Sequence, residues 1–239
     1  MGDEEDPKST ARDGGYHQSS LKDTRTEGLA KSFRVAHVSS PFYSGEGKVE
    51  VSHAEDRIAC LFDDNVKIIS ARSGEVLLSL QPDDDKKEVL TCFAQCPTSS
   101  TDIVTSSQNG LLRHWRGTFD APSSSSPTTP ASLATPWECV RAIKAHTMPI
   151  LALVYDPTGT LVATGSADRT VRVWDVARGY CTHSLREHTD IVAFLRFHPN
   201  PLTMSLVSAA QDNTVRMWDL VKSQCVATFR DHMSQVRRQ

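Results

Sequence analysis

Residues 150–188 read ILALVYDPTGTLVATGSADRTVRVWDVARGYCTHSLREH, and residues 191–232 read IVAFLRFHPNPLTMSLVSAAQDNTVRMWDLVKSQCVATFRDH. The two stretches are one pattern written twice. Trp174 and Trp218, Asp168 and Asp212, and His188 and His232 each stand 44 residues apart. Within each unit four short runs of alternating or β-branched residues follow one another; in the first copy these are ILALVYD, LVATGSA, TVRVWDV and YCTHSL. Pro-Thr-Gly, Asp-Arg-Thr and Arg-Gly punctuate them, which is the signature of strands joined by tight turns. Four strands per unit at this period predict an all-β repeat architecture, in which each unit buries its apolar faces only against its neighbours.

The stretch GYCTHSLREH at 179–188 sets a thiol seven residues before an imidazole, a pairing that invites a zinc site. Structural zinc takes four ligands, normally from two closely spaced pairs. Cys139 and His146, Cys181 and His188, and Cys225 and His232 all repeat the same spacing, so it belongs to the repeat. One pair per unit keeps the pairs on separate units, and no metal is expected. Each cysteine is expected to be a small apolar filler on an outer strand.

Upstream the pattern decays. In DIVTSSQNGLLRHW, Trp115 holds the tryptophan position and Asn109 that of the turn aspartate, with the histidine position near Lys87. In RIACLFDDNVKIISARSGEVLLSL the phase sets Ile69 where tryptophan belongs and Asp63 in the turn. With histidine early, Trp-Asp late and four strands in each unit, the chain resembles the WD40 family of β-propellers. The expected fold is a partial WD40 propeller of about four blades of four antiparallel strands over 31–239, with blades near 49–80, 88–146, 146–188 and 188–232. Residues 1–30, polar and rich in Gly and Ser, are expected to be a disordered tail. FRVAHVS at 33–39 reads as a strand, and the interval from Trp115 to Trp174 holds a Ser/Thr/Pro-rich insert at 117–136. The chain ends as a fifth unit begins, so it reads as a fragment or shortened isoform, with open faces exposing Val192, Phe194 and Leu195.

An imidazole, a hydroxyl and a carboxylate recur in each full unit: His146, Thr164 and Asp168 with Trp174, then His188, Ser208 and Asp212 with Trp218. That content suggests a hydrolase triad. A catalytic site is normally singular, however, whereas a scaffold device is repeated, so no catalytic residue is assigned. The family resemblance implies that these residues form buried hydrogen-bond chains tying strands to loops, as buried polar groups require. It also places Lys144, Arg169, Arg186, Gln211, Asn213 and Arg230 around one rim of loops, where basic and amide side chains suit acidic peptides or RNA phosphates. In the insert, Ser126, Thr129 and Thr135 each precede proline and are candidate phosphorylation sites.

Elsewhere the composition mostly excludes. A net charge of -3 and a pI near 6.3 give no global attraction to nucleic acid or membrane. No N-terminal apolar run marks a secretory signal or span, so a soluble intracellular protein with six reduced cysteines and no membrane partner is expected. No G-x-x-x-x-G-K-S/T loop appears, and Asp83-Asp84-Asp85 reads as a solvated charge run. Neither a cofactor nor a small-molecule substrate is expected.

SPFYSGEGKVEVS at 40–52, leading into the first unit, is similar to the start of the transducin beta-like WD-repeat family of the small-subunit processome, the UtpB subunits associated with U3 small nucleolar RNA; Pro41-Phe42-Tyr43 and Gly47-Lys48 carry the match. This resemblance implies a nuclear, nucleolar, non-catalytic scaffold for pre-18S rRNA processing. Its partners would be other WD40 and helical subunits of a large ribonucleoprotein complex, with contact to pre-rRNA or small nucleolar RNA. The alternative is a cytoplasmic or nuclear adaptor, such as a ubiquitin-ligase substrate receptor. A receptor signature would want Arg or Lys two residues after the Trp-Asp aspartate, where Ala177 and Val221 stand.

Overall fold

The computed structural model describes residues 48–52, 56–62, 65–80, 88–117 and 137–230. The described residues all belong to one compact unit within 37–239. The expected tail, the run 33–39, Asp63, Asp83-Asp84-Asp85, Lys87, His232 and the insert's Ser126, Thr129 and Thr135 fall outside the described residues.

All sixteen described elements are strands, arranged as four antiparallel sheets of four in which sequence neighbours are spatial neighbours. The first sheet holds β1 (Val49–Val51), β2 (Arg57–Phe62), β3 (Asn65–Ser70) and β4 (Val76–Leu80). The second holds β5 (Leu90–Gln95), β6 (Asp102–Ser107), β7 (Leu111–Arg116) and β8 (Glu138–Lys144). The third is β9 (Ile150–Tyr155), β10 (Leu161–Ser166), β11 (Val171–Asp175) and β12 (Tyr180–Leu185). The fourth is β13 (Val192–Phe197), β14 (Ser205–Ala210), β15 (Val215–Asp219) and β16 (Gln224–Phe229). The inner strands β5, β9 and β13 lie against one another, and successive sheets pack face to face as propeller blades do.

Each seam between sheets has its own core. Between the first and second sheets Ile68, Leu80, Phe93, Ile103 and Trp115 pack together. Cys92, Val104, Ile150, Leu153, Val162 and Trp174 fill the second seam. Val171, Val173, Val192, Leu195, Leu206 and Trp218 fill the third. Every tryptophan therefore packs toward the preceding sheet. The ladder between the third and fourth strands slips by a residue at Ile68/Ile69, His114/Trp115, Val173/Trp174 and Met217/Trp218. Such a bulge turns the side chain that follows it, and Ile69 stands at the tryptophan position in the first sheet.

Val192 and Leu195, expected on an open face, are instead buried against the third sheet; of the three residues only Phe194 is exposed. Strand alternation explains the correction, since the bulge between Val192 and Phe194 turns these two residues to opposite faces. The positions that Ala152 and Leu185 occupy in the third sheet, 4% and 6% exposed beneath the fourth, are Phe194 and Phe229 in the fourth sheet, at 39% and 53%.

Gly165 keeps the third seam tight. A Cβ there would lie 2.7 Å from Val192 Cγ1 and 3.3 Å from the Ala152 Cβ. Gly165→Ala should therefore destabilise the chain by about 1–3 kcal/mol through overpacking. Adding Val192→Ala should recover part of that loss in denaturant unfolding, whereas strictly additive losses would place the strain elsewhere.

Candidate functional site: the histidine edge and the opposite edge

The turns joining the second and third strands lie beside the loops that enter each sheet. The amides of Gln108, Ala167 and Gln211 donate to the carbonyls of Val89, Pro149 and Ile191, and the His146 amide donates to the Gly110 carbonyl at 3.0 Å. Gly110, Arg169 and Asn213 occupy one equivalent turn position, and all have positive φ, 71°, 67° and 59°. Gly110 is required there, since a Cβ would approach the His146 carbonyl oxygen to 2.3 Å. Arg169 holds the left-handed conformation at a cost of roughly 1–2 kcal/mol.

Beneath this edge the structure brings together both sets of four residues singled out above. Trp174 Nε1 donates to Thr164 Oγ1 at 2.9 Å, that oxygen lies 2.8 Å from His146 Nε2, and His146 Nδ1 lies 2.9 Å from Asp168 Oδ2. In the fourth sheet the corresponding distances are 2.8 Å (Trp218 to Ser208), 2.7 Å (Ser208 to His188) and 2.9 Å (His188 to Asp212). One proton assignment satisfies each chain: tryptophan donates to the hydroxyl, the hydroxyl to Nε2, and Nδ1–H to the carboxylate. That assignment makes the imidazole neutral. Burial pushes both imidazoles below the ordinary histidine value, and the carboxylates opposite only partly offset this. Burial also pushes the Asp212 carboxyl upward, but hydrogen bonds from Thr214, the Thr189 amide and His188 outweigh it and hold it down at about 2.

The chains fade toward the first sheet. Trp115 Nε1 donates to Thr105 Oγ1 at 2.9 Å, with Asn109 in the aspartate position. In the first sheet Cys60 takes the hydroxyl position and donates to the Lys67 carbonyl at 3.6 Å, while Thr164 Oγ1 lies 3.3 Å from the Arg172 carbonyl oxygen. Sequence reasoning passed over Thr105 and Cys60, although their spacing ahead of Trp115 and Ile69 marks them.

Cys139, Cys181 and Cys225 are not buried fillers: the first two are exposed and the third partly so. Each lies across from a tryptophan, and its thiol donates to the carbonyl two residues on: Arg141, His183 and Ala227, at 3.4, 3.1 and 3.3 Å. The outermost strand has one face in solvent, so a residue there need not be enclosed. Burial still raises the Cys181 thiol, which works against thiolate ligation. Among the described residues no three His, Cys, Asp or Glu side chains converge on a metal-sized site.

Of the rim residues, Lys144 is engaged by the Asn109 carbonyl, Arg186 Nε donates to Ser184 Oγ at 3.3 Å, and Arg169, Asn213 and Arg230 are exposed, with Gln211 half-buried. The opposite edge carries a trio that sequence reasoning missed: His114 Nε2 lies 2.7 Å from Asp102 Oδ1, and Arg116 Nε donates to the same oxygen at 2.9 Å. The legible signal was Trp115-Arg116, standing where the other units have Trp-Asp.

The family model for the WD domain, G-beta repeat, matches residues 137–175 and 179–219. Each match starts beside the outer strand of one sheet and ends on the third strand of the next, so the sequence repeat is offset from the sheet. With four antiparallel four-stranded sheets, these matches show that the chain carries WD40 repeats. It is 34% identical to transducin beta-like protein 3 of Bos taurus over 179 residues, 75% of this chain and 20% of the relative, and 33% identical to that of Homo sapiens over 168 residues, 70% and 18%. Dynein assembly factor with WD repeat domains 1 of Danio rerio matches at 38% over 61 residues, 26% of this chain and 14% of the relative. The chain spans about a fifth of the length of the transducin beta-like relatives. Among the described residues no helix is long and apolar enough to cross a membrane.

Asp168 accepts from His146, the amides of Thr147 and Thr170, and Thr170 Oγ1. Asp168→Ala should cost roughly 1–3 kcal/mol by stranding these donors; a chain melting unchanged would contradict that. Because the native imidazoles are held below the unfolded value of about 6.5, their contribution is fully present above that pH. It declines on acidification as the unfolded chain binds protons the native state refuses. Thermal melts from pH 7.5 to 5.5 should show a falling Tm.

Proposed function

We propose that the chain is a non-catalytic WD40 scaffold for protein–protein and protein–RNA assembly in small-subunit ribosome biogenesis, acting in the nucleus and nucleolus on pre-18S rRNA. The observation that supports this most is the similarity to transducin beta-like protein 3, which runs through 75% of the chain. The dynein assembly factor match covers only 26% of the chain. The partners fitting this reading are other WD40 and helical subunits of a ribonucleoprotein complex, together with pre-rRNA or small nucleolar RNA.

In this reading the two Trp–hydroxyl–His–Asp chains are structural ties. Their repetition supports this, as does the enclosure of His146 and His188, both nearly without solvent contact. The histidine edge is the binding face, with Lys144, Arg169, Arg186, Gln211, Asn213 and Arg230 as contact residues. Arg169 supports it best, because a charged side chain is kept at a left-handed position where glycine is free of strain. Ser126, Thr129 and Thr135 are proposed as sites of phosphorylation by proline-directed kinases.

A tagged chain, expressed in cells and purified after crosslinking, should recover U3 small nucleolar RNA and pre-18S rRNA with processome subunits. Changing Arg169 and Arg186 to Glu together should reduce that recovery while leaving the melting temperature unchanged. Recovery of a cullin ligase or axonemal assembly factors without ribosomal RNA would overturn the reading.

A further inference from the structure

On the edge opposite the histidine loops, the second and third sheets part around a cleft of about 600 Å³. Asp102, His114 and Arg116 reach it from one side, and Thr158, Asp175 and Arg178 from the other. Comparing the sheets position by position shows what is unusual here. The place of His114 is held by Val173 and Met217 in the next two sheets, that of Asp102 by Leu161 and Ser205, and that of Arg116 by Asp175 and Asp219. Three positions have changed together, once, into a mutually compensating ionic set.

Its internal hydrogen bonding is complete. Asp102 Oδ1 accepts from Arg116 Nε at 2.9 Å and lies 2.7 Å from His114 Nε2, while Ser99 Oγ and Thr101 Oγ1 donate to Oδ2, each at 3.0 Å. Burying His114 and Asp102, 7% and 15% exposed, at a seam that is apolar one sheet further on costs stability. A singular departure from a repeated device therefore indicates a site, by the same logic that makes the repeated histidine chains scaffold.

The accessible chemistry is cationic. Asp102 already has four partners, and Asp175, the other carboxylate lining the cleft, accepts from the Arg178 amide at 2.9 Å and faces the Arg178 guanidinium. By contrast the Arg116 side chain is 56% exposed and, with Nε and Nη2 each 2.9 Å from Asp102 Oδ1, keeps further N–H donors to offer, while Arg178 is 74% exposed and held 3.5 Å from Asp175 only loosely. Arg141 adds a third guanidinium at the same turn: its Nη2 donates to the Ala177 carbonyl at 3.3 Å, and its Nε is buried without a hydrogen-bond partner. Guanidinium forks on the two sides of one cleft suit a phosphate group, whose several acceptor oxygens can meet both, and exclude a neutral ligand as the natural partner.

We propose that this cleft is a phosphomonoester site that takes a phosphoserine or phosphothreonine segment between Arg116 and Arg178. Two sources present the same chemistry: another polypeptide, or this chain's own residues 118–136, which connect Gly117 to Trp137 and carry Ser126, Thr129 and Thr135. Gly117 and Trp137 lie side by side, a Cβ on the glycine falling 2.5 Å from Trp137 Cγ.

The probe is a synthetic peptide of residues 129–137 phosphorylated at Thr135, titrated calorimetrically into the 239-residue chain. Binding should weaken by about tenfold or more without the phosphate, and by as much in Arg116→Ala and in Arg178→Ala, because each removes one fork of a charge-assisted pair. Arg72→Ala, in an exposed turn of the first sheet, should bind as the unaltered chain does. If Arg116→Ala does not fold, the largely exposed Arg178 carries the test. Prior phosphorylation of the chain by a proline-directed kinase separates the sources: a lost response to added peptide assigns the site to the chain's own insert, and an unchanged response assigns it to another polypeptide. The proposal is overturned by three results: no binding of the phosphopeptide, equal binding of the unphosphorylated peptide, or affinity untouched by both variants. Tighter binding of a single-stranded RNA oligonucleotide, lost in the same variants, would replace it with a phosphodiester site.

Discussion

A single hydroxyl oxygen, Thr164 Oγ1 in the third sheet and Ser208 Oγ in the fourth, has to serve a tryptophan and a histidine at once. Both hydroxyls are fully buried, so no water replaces either partner. The demand propagates outward. A hydroxyl that accepts from indole can give its one proton to the nearer partner, Nε2, which leaves that nitrogen unprotonated. Nδ1 then carries the hydrogen and needs an acceptor, and the turn aspartate supplies it while also capping the turn through Thr170 or Thr214. One oxygen thereby links the third strand, the second strand, the entering loop and the turn, all without a net charge on the ring.

The first two sheets show how the seams hold without that link. In the second sheet the tryptophan and its hydroxyl remain, and an ion pair between Arg113 and Glu88 at 2.7 Å ties the third strand to the residues just ahead of the first. The equivalent Arg172 donates to the Ala145 carbonyl at 2.8 Å, and Arg216 pairs with Glu187. In the first sheet Ile69 and Cys60 remove both polar members together. Replacing both partners by apolar groups avoids the penalty of stranding one of them, which explains why Ile and Cys arrive as a pair.

Legibility in the sequence follows the same physics. The 44-residue phase aligns positions, and a repeated architecture turns aligned positions into equivalent places in space. His146, Thr164, Asp168 and Trp174 could therefore be grouped before any coordinates. The phase says nothing about what a residue faces. Val192 and Leu195 looked exposed because their sheet has no described neighbour on one side; a bulge, invisible in the sequence, turns them to the other. The cysteines misled for a similar reason, since small apolar residues on an edge strand are only half enclosed. The Asp102–His114–Arg116 trio was hard to read because its members are ordinary in isolation. Only comparison with Leu161, Val173 and Asp175 shows that three changes coincide.

The two edges of these sheets consequently have different freedom to change. Along the histidine edge of the third and fourth sheets, substitution of one member strands a buried partner, whereas solvent-facing neighbours such as Arg169 and Asn213, which sit where the backbone already needs a left-handed residue, carry no such constraint. On the opposite edge the Trp-Asp aspartate does local work: Asp175 accepts from the Arg178 amide at 2.9 Å, and Asp219 from the amides of Val221 and Lys222 at 2.9 and 3.0 Å. A turn cap can be given up where the connection no longer makes a tight turn. Between β7 and β8 the connection is long, and there the aspartate has become Arg116. A connection of that length does not need the cap, and Arg116 pairs instead with Asp102 at 2.9 Å.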